Sequence, residues 1–308
     1  MLRSLLLAIG RNKAAARFMR RYGARLGAAR FVAGTELRDA VAVVKRLNAE
    51  GLEATLDHLG EFVSSERDAK HAAGMSLKTL ESIHAEGLRA NLSLKLTSLG
   101  LDVDPRLCER YMRTILSRAR ELQLFVRIDM EDYAHCQPAL DLYRRLRRDY
   151  PNVGIVLQAY LRRTERDVRE LGRDGANLRL VKGAYRESPQ VAFPDKREVD
   201  ASFTKLIRRQ LRQGYAAIAT HDEDIIQDTL HWIGQNGIAR ERFEFQMLYG
   251  IREDLQRLLV EGGYRVRVYV PYGQDWFGYF MRRLAERPAN VWFLIKNMKR
   301  HKMGAIGK

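Results

Sequence analysis

Two adjacent arginines, Arg282 and Arg283, lie in the segment Asp275-Trp-Phe-Gly-Tyr-Phe-Met-Arg-Arg-Leu-Ala-Glu-Arg287. Tyr279, Arg282, Arg283 and Glu286 stand at i, i+3, i+4 and i+7, which places them on one face of a helix. A solvated, salt-bridged surface face would show the same spacing. Trp276, Phe277 and Phe280, however, supply apolar surface elsewhere around the helix, so it is expected to be covered on more than one side. Two covered guanidiniums side by side form a clamp for a carboxylate, because each can meet both oxygens with a planar fork. Glu286 would hold Arg282 or Arg283 in place, and Tyr279 would add a hydroxyl or a ring wall. The implied substrate class is a small amino or keto acid.

A second set of reactive side chains stands at the ends of short apolar runs: Lys95, Asp129 with Glu131, Gln158, Arg179 with Lys182, His221 with Asp222, Gln246, and Tyr269. Several chemistries can be tried on this set. Metal-assisted hydrolysis in a barrel would want a His-x-His pair, and no two of the seven histidines are so spaced. Cys108 and Cys136 also lack metal-ligand spacing and are too few for a disulfide framework, which points to a reducing compartment and no metal. A glycosidase would need two facing carboxylates, for which Glu131 and Glu244 are available, but Glu244 lies between two phenylalanines. A Schiff-base lyase or aldolase using Lys95 or Lys182 as nucleophile stays open at this point.

The elements that must position these groups recur regularly. Eight short runs follow one another: Leu52–Asp57, Ala90–Thr97, Leu124–Met130, Gly154–Tyr160, Leu178–Lys182, Tyr215–Thr220, Phe243–Leu248 and Tyr264–Val270. Segments of helical periodicity such as Leu107–Glu121 and Glu198–Gln213 separate them. Eight βα units in a chain of 308 residues predict an α/β fold, a (β/α)8 TIM-like barrel. A doubly wound sheet would want a Gly-x-Gly-x-x-Gly turn after the first strand, and none is there. The expected organisation is an N-terminal helical arm (1–50) packed outside, a catalytic barrel (51–297) and a basic C-terminal tail (298–308). In such a barrel Lys95 and Asp129, at the ends of strands 2 and 3, are neighbours able to form a buried ion pair.

With these residues in this order, the chain resembles the proline dehydrogenase family in its compact monofunctional bacterial form. The motifs are Phe31-Val-Ala-Gly, Leu56-Asp-His-Leu-Gly60, Ser93-Leu-Lys-Leu-Thr, Ile128-Asp-Met-Glu-Asp, Leu157-Gln-Ala-Tyr, Arg179-Leu-Val-Lys-Gly-Ala-Tyr185, Ala219-Thr-His-Asp, Phe243-Glu-Phe-Gln-Met-Leu-Tyr-Gly, Val268-Tyr-Val-Pro-Tyr-Gly and Tyr279-Phe-Met-Arg-Arg-Leu-Ala-Glu. The resemblance spans residues 31–297. It implies a distorted barrel that binds FAD, oxidises L-proline to Δ1-pyrroline-5-carboxylate and passes the electrons to a membrane quinone. By position it implies that Arg282 and Arg283 bind the proline carboxylate, that Lys95 lines the substrate site paired with Asp129, and that Tyr269 and Tyr279 wall the ring. Met130, Gln158, Arg179, Val181, Lys182, Gly183, Ala184, Thr220 and His221 would hold the flavin. Asp129 and Arg179 would be the catalytic pair, Arg179 near the reactive edge.

The formal net charge of +16 suggests a polyanion partner until it is divided along the chain. Residues 1–35 hold eight basic side chains and no acid, and residues 296–308 hold five and no acid, leaving +3 for everything between. Aromatic residues are not interleaved with the basic runs as a single-strand nucleic-acid binder would need, so no specific nucleic acid is expected. Leu2, Leu5, Leu6, Ile9 and Phe18 among the N-terminal arginines instead suggest an amphipathic segment lying on an anionic bilayer, against the alternative of a solvated charged tail. The apolar stretch Leu5–Ile9 is far shorter than the ~20 residues a membrane span needs. The acid-free, Arg-rich start also has the character of a mitochondrial presequence. The expected location is cytoplasmic and peripheral at the inner face of the cell membrane, or on the matrix side of a mitochondrion.

Overall fold

The computed structural model describes residues 30–286, with side chains described through Arg283. Eight parallel strands pair in chain order and close into a barrel, β8 returning onto β1. They are β1 (Glu53–His58), β2 (Ala90–Leu94), β3 (Val126–Ile128), β4 (Val153–Gln158), β5 (Leu178–Val181), β6 (Ala216–Ala219), β7 (Phe243–Leu248) and β8 (Val266–Tyr272). Between consecutive strands run α2 (Glu66–Ala85), α3 (Pro105–Glu121), α4 (Tyr133–Asp149), α5 (Thr164–Arg173), α6 (Lys196–Gln213), α7 (Glu223–Gln235) and α8 (Glu253–Glu261). One helix, α1 (Leu37–Ala49), precedes β1, and another, α9 (Trp276–Glu286), follows β8.

Capping chemistry fixes where several helices begin. Ser65 accepts the amide of Asp68 ahead of α2, Asp104 accepts that of Arg106 ahead of α3, where Pro105 leads the helix, and Asp195 accepts that of Arg197 ahead of α6. The eight expected strands are all present, β2 to β6 shorter than the apolar runs suggested and β7 with the same bounds. β2 stops at Leu94 because the chain turns at once into a 3-10 turn, Thr97–Leu99, and β3 keeps only three residues, so Lys95 and Asp129 stand just past the strands. β8, in contrast, runs on to Tyr272.

The apolar core lies outside the barrel, not in it. Leu56, Leu92, Leu94, Ile128, Ile155, Leu157, Leu180, Ile218, Phe245, Val268 and Val270 are buried in one cluster with the apolar faces of the helices. Alternation along each strand then turns the other side chains inward, and most of these are polar, with Val156, Ala217 and Ala219 among the exceptions. Thr55 and Asn91 bond across β1 and β2 at 2.5 Å. Fully buried Arg127 reaches the carbonyl and side chain of Asn177 at 2.7 and 2.6 Å. Gly154 makes room for it, since a β-carbon there would sit 2.4 Å from the guanidinium. At the N-terminal end of the strands, Arg267 donates to both oxygens of buried Glu244 at 2.9 and 3.1 Å and also pairs with Glu53. Glu244 therefore belongs to the floor of the barrel, whereas Glu131 follows β3 at the opposite end. The pair considered for glycoside hydrolysis does not face across one cleft.

The expected distortion has a definite form. α9 does not lie on the barrel wall; its Trp276, Phe277, Tyr279, Phe280 and Met281 pack with Phe31, Val32, Leu59 and Ile251 against Leu248 and Tyr269, at the C-terminal mouth. α1 packs on β1 and β8 from outside. It is the described part of the N-terminal arm expected to pack outside the barrel, and it lies beside the seam where β8 meets β1. The rest of that arm, residues 1–29, and the basic tail 298–308 lie outside the described residues. Among the described residues no helix is long and apolar enough to cross a membrane.

The floor network yields a test of stability. Arg267→Met leaves Glu244 buried without its counter-charge and should cost about 3–5 kcal/mol in urea unfolding, while Arg267→Met combined with Glu244→Leu should regain most of that loss. Equal destabilisation of the single and double variants would contradict the pairing.

Candidate active site

At the opposite end of the barrel from this floor, two carboxylates are brought together from β1 and from the exit of β3. Asp129 is 7% exposed and accepts from Ser93 Oγ at 2.5 Å and from Arg179 Nη1 at 2.7 Å on one oxygen. Its other oxygen lies 2.7 Å from the Tyr269 hydroxyl, which is also 2.6 Å from Asp57 Oδ2. A phenol has one proton, so it can donate to only one of these carboxylates at a time. Lys95 supplies the missing positive charge, with its Nζ 2.8 Å from Asp57 and 3.7 Å from Asp129. Two cations and two anions thus balance around one tyrosine.

Burial sets the cost of this arrangement, and pairing offsets it. Burial alone would push the Asp129 carboxyl up, but Arg179 and then Lys95 hold it below the usual carboxylate range. Asp57 has no arginine, and burial pushes its carboxyl above the ordinary value despite Lys95. Burial opposes the charged form of Lys95, yet Asp57 and Asp129 together hold its ammonium well above the ordinary lysine range. Burial, with Asp129 and Asp57 adding to it, keeps the Tyr269 phenol protonated far beyond its usual pH. Nearby, burial raises Glu131 to about 7 against the hydrogen bonds it receives from Thr97.

Lys95 and Asp129 do form the expected ion pair, but Asp57 is the lysine's closer partner. Asp57 went unselected although its signal was the same as for the others, a charged residue near the end of a strand and in phase with inward Thr55. The charged lysine also counts against a Schiff-base nucleophile, which needs a depressed pKa. Lys182 is no better suited: its Nζ bridges Asp200 at 2.6 Å and Asp222 at 2.7 Å.

Above this hub lies a cavity of about 870 Å³, whose lining includes Glu61, Phe62, Tyr133, Ala184, Tyr185, Tyr279 and Arg282. Arg282 is held by Glu61 through two bonds of 2.6 and 3.1 Å. The expected holder, Glu286, has a side chain outside those described, and Glu61 fills the role from the β1–α2 loop. Only the fold brings them together, since 221 residues separate the two in the chain. The Arg283 guanidinium stacks 5.0 Å from the centre of the Tyr279 ring, and Arg179 stacks 5.5 Å from that of Tyr269.

The remaining expected residues gather around the exits of β3 to β6. Val181, Lys182, Gly183 and Ala184 are half-buried in sequence after Arg179. Gly183 adopts φ +117°, and a β-carbon there would strike the Tyr160 ring at 2.1 Å, so this turn requires glycine. His221 accepts the amide of Leu248 on Nε2 at 2.9 Å, which puts its proton on Nδ1. Thr220 accepts the amide of Asp222, and Gln158 donates to the carbonyl of Glu131 at 2.7 Å. Met130 is buried. Nε and Nη2 of buried Arg179 have no hydrogen-bond partner among the described residues.

Comparison with known proteins agrees with this geometry. The family model for proline dehydrogenase matches residues 40–296. Proline dehydrogenase 1 of Bacillus subtilis is 50% identical over 299 residues, covering 97% of this chain and 99% of its own length. The proline dehydrogenase of Deinococcus radiodurans is 42% identical, covering 88% of this chain and 89% of its own. Among solved structures, proline utilization A from Bdellovibrio bacteriovorus superposes with a TM-score of 0.79 at 26% identity, covering 88% of this chain and 33% of that one. A barrel with this throat and mouth, matched over most of its length by the family model and by full-length relatives, places the chain in the proline dehydrogenase family.

Proposed function

We propose that this member of the family oxidises L-proline to Δ1-pyrroline-5-carboxylate at a bound FAD and delivers the electrons to a membrane quinone. The observation that carries the reading is the stacking of two layers at one mouth: an arginine pair on α9 above a buried, charge-balanced Lys95–Asp57–Asp129–Arg179 hub. The residues fit the flavin. Arg179 keeps two buried N–H donors with no partner among the described residues, which a ring carbonyl or nitrogen would satisfy. Beside it, the turn at Gly183 allows close backbone approach. Gln158, Val181, Lys182, Gly183, Ala184, Thr220 and His221, with Met130, would hold the cofactor. When bound, it supplies the two-electron acceptor for the hydride leaving proline C5.

The chain's own task is then positioning. Arg282 and Arg283 hold the proline carboxylate by charge-assisted hydrogen bonds. Glu61 keeps Arg282 aimed and partly neutralised when no substrate is present. Tyr269 and Tyr279 wall the ring. Lys95, kept charged by Asp57 and Asp129, adds positive potential below the substrate, and Arg179 adds it where negative charge accumulates on reduction. α9 excludes water from above. Asp129 acts through Arg179 and Tyr269, holding both in place.

Electron delivery to a quinone dissolved in the bilayer gives the basic ends a purpose. Residues 1–29, acid-free with apolar residues between the arginines, would lie on an anionic membrane face, each basic side chain contributing about 1 kcal/mol near such a surface.

Two measurements test these assignments. Arg283→Met should raise the proline KM by roughly 100-fold, equivalent to ~3 kcal/mol of lost charge-assisted binding, while the visible flavin spectrum of the purified protein stays that of the parent. An unchanged KM would remove the arginine clamp. Deleting residues 1–29 should abolish co-sedimentation with vesicles containing phosphatidylglycerol yet leave turnover with a soluble dye acceptor intact; undiminished vesicle binding would refute the membrane role.

A further inference from the structure

The β1–α2 loop that carries Glu61 is held by an unusual contact. Phe62, the next residue, adopts φ +53°, a left-handed conformation that a side chain with a β-carbon disfavours. The residue is 45% exposed, and its ring meets only the edge of His135, with centroids 5.6 Å apart, so its packing among the described residues is slight. What does hold it is Thr97, from the 3-10 turn after β2. The Phe62 amide donates to Thr97 Oγ1 at 3.0 Å, and the Val63 amide donates to the Thr97 carbonyl at 3.3 Å.

Thr97 is itself fully buried and fixed from below. Its hydroxyl donates to one oxygen of Glu131, and its amide donates to the other at 3.2 Å. Glu131 is 2% exposed, and its carbonyl is bound in turn by the side chain of Gln158 at the end of β4. The hydroxyl is thus used twice, as donor to a buried carboxylate and as acceptor for the strained loop. Lys95 stands two residues before Thr97, so the same turn places the lysine in the hub. A chain of side chains therefore runs from the exit of β4 through Glu131 and Thr97 to Phe62, and by one covalent step to the Glu61–Arg282 pair.

We propose that Thr97 is a positioning residue for proline binding: its hydroxyl, oriented by Glu131, latches the β1–α2 loop at Phe62 and so holds Glu61 where it meets Arg282. This rests on the reading of Arg282 and Arg283 as the carboxylate clamp. Without the hydroxyl, Phe62 loses the bond that compensates its backbone, the loop relaxes towards more open conformations, and Arg282 loses its fixed aim. The chemical step, which depends on the hub below, is left nearly untouched.

Hydrogen exchange and kinetics test this together. In the parent flavoprotein the amides of Phe62 and Val63 should be protected, although they lie in a loop outside any helix or strand. Rapid exchange there would overturn the latch without any variant being made. Thr97→Val keeps the shape and removes the hydroxyl; it should expose the Phe62 amide and raise the proline KM by roughly tenfold with kcat within about twofold of the parent. Thr97→Ser should restore both protection and KM. A Thr97→Val protein with an exposed amide and parental KM, or one in which kcat alone falls, would overturn the proposal even if Arg283→Met raises KM as expected. A parental KM in Arg283→Met would instead undo the clamp reading beneath it.

Discussion

A carboxylate buried in the throat of a barrel has to be paired, and the pairing of Asp129 governs much else in this molecule. Its partners come from three other places around the ring: Ser93 and Lys95 from β2 and its exit, Arg179 from β5, and Tyr269 from β8. None of them is near it in the chain. Strand closure is therefore the condition for a stable charge at that position, and the charge in turn fixes the side chains that face the mouth. Asp57 joins as a second anion because Lys95 needs more than one partner to stay charged at such burial.

The same logic explains why the barrel keeps its oil outside and its polar groups inside. The apolar residues of the strands face the helices, and burial of that interface stabilises the fold. The interior is free to hold ionic networks at two levels: a structural one at the floor, around Arg127, Glu244 and Arg267, and a functional one near the mouth. The upper network balances two cations with two anions, and at the floor Arg267 is paired with Glu244 and Glu53 while Arg127 is met by oxygens of Asn177 and Ile155. Moving α9 from the wall to the mouth gives the upper network a roof with two arginines in it, while α1 covers the seam beside β1 and β8.

Much of this was legible in the residues. The eight alternating runs announced the barrel because a period of two separated by helical segments has few other solutions. Arg282 with Arg283, Lys95, Asp129, Arg179 and Tyr269 stood out because charged or hydroxyl-bearing side chains at strand ends and on a covered helix demand partners. Glu61 gave no such signal: it sits in a loop rich in polar neighbours, where a glutamate normally needs no explanation. Asp57 differs from Glu61 in carrying the strand-end signal of the others, within a run dominated by its apolar members. Thr97 looked like the tail of a strand, and only the 3-10 turn after Leu94 shows that it faces Glu131 and Phe62.

What the sequence by itself determined was the architecture, the family and the types of side chain gathered at the mouth, because periodicity and residue chemistry are properties of short segments. Only the tertiary structure decided which partner each charge takes. Glu61, from a distant loop, stands beside Arg282, and Asp57 is closer than Asp129 to Lys95. A buried charge is paired by whatever opposite charge closure of the barrel brings within about 3 Å, and that proximity is set by strand register and by the placing of α9 over the mouth.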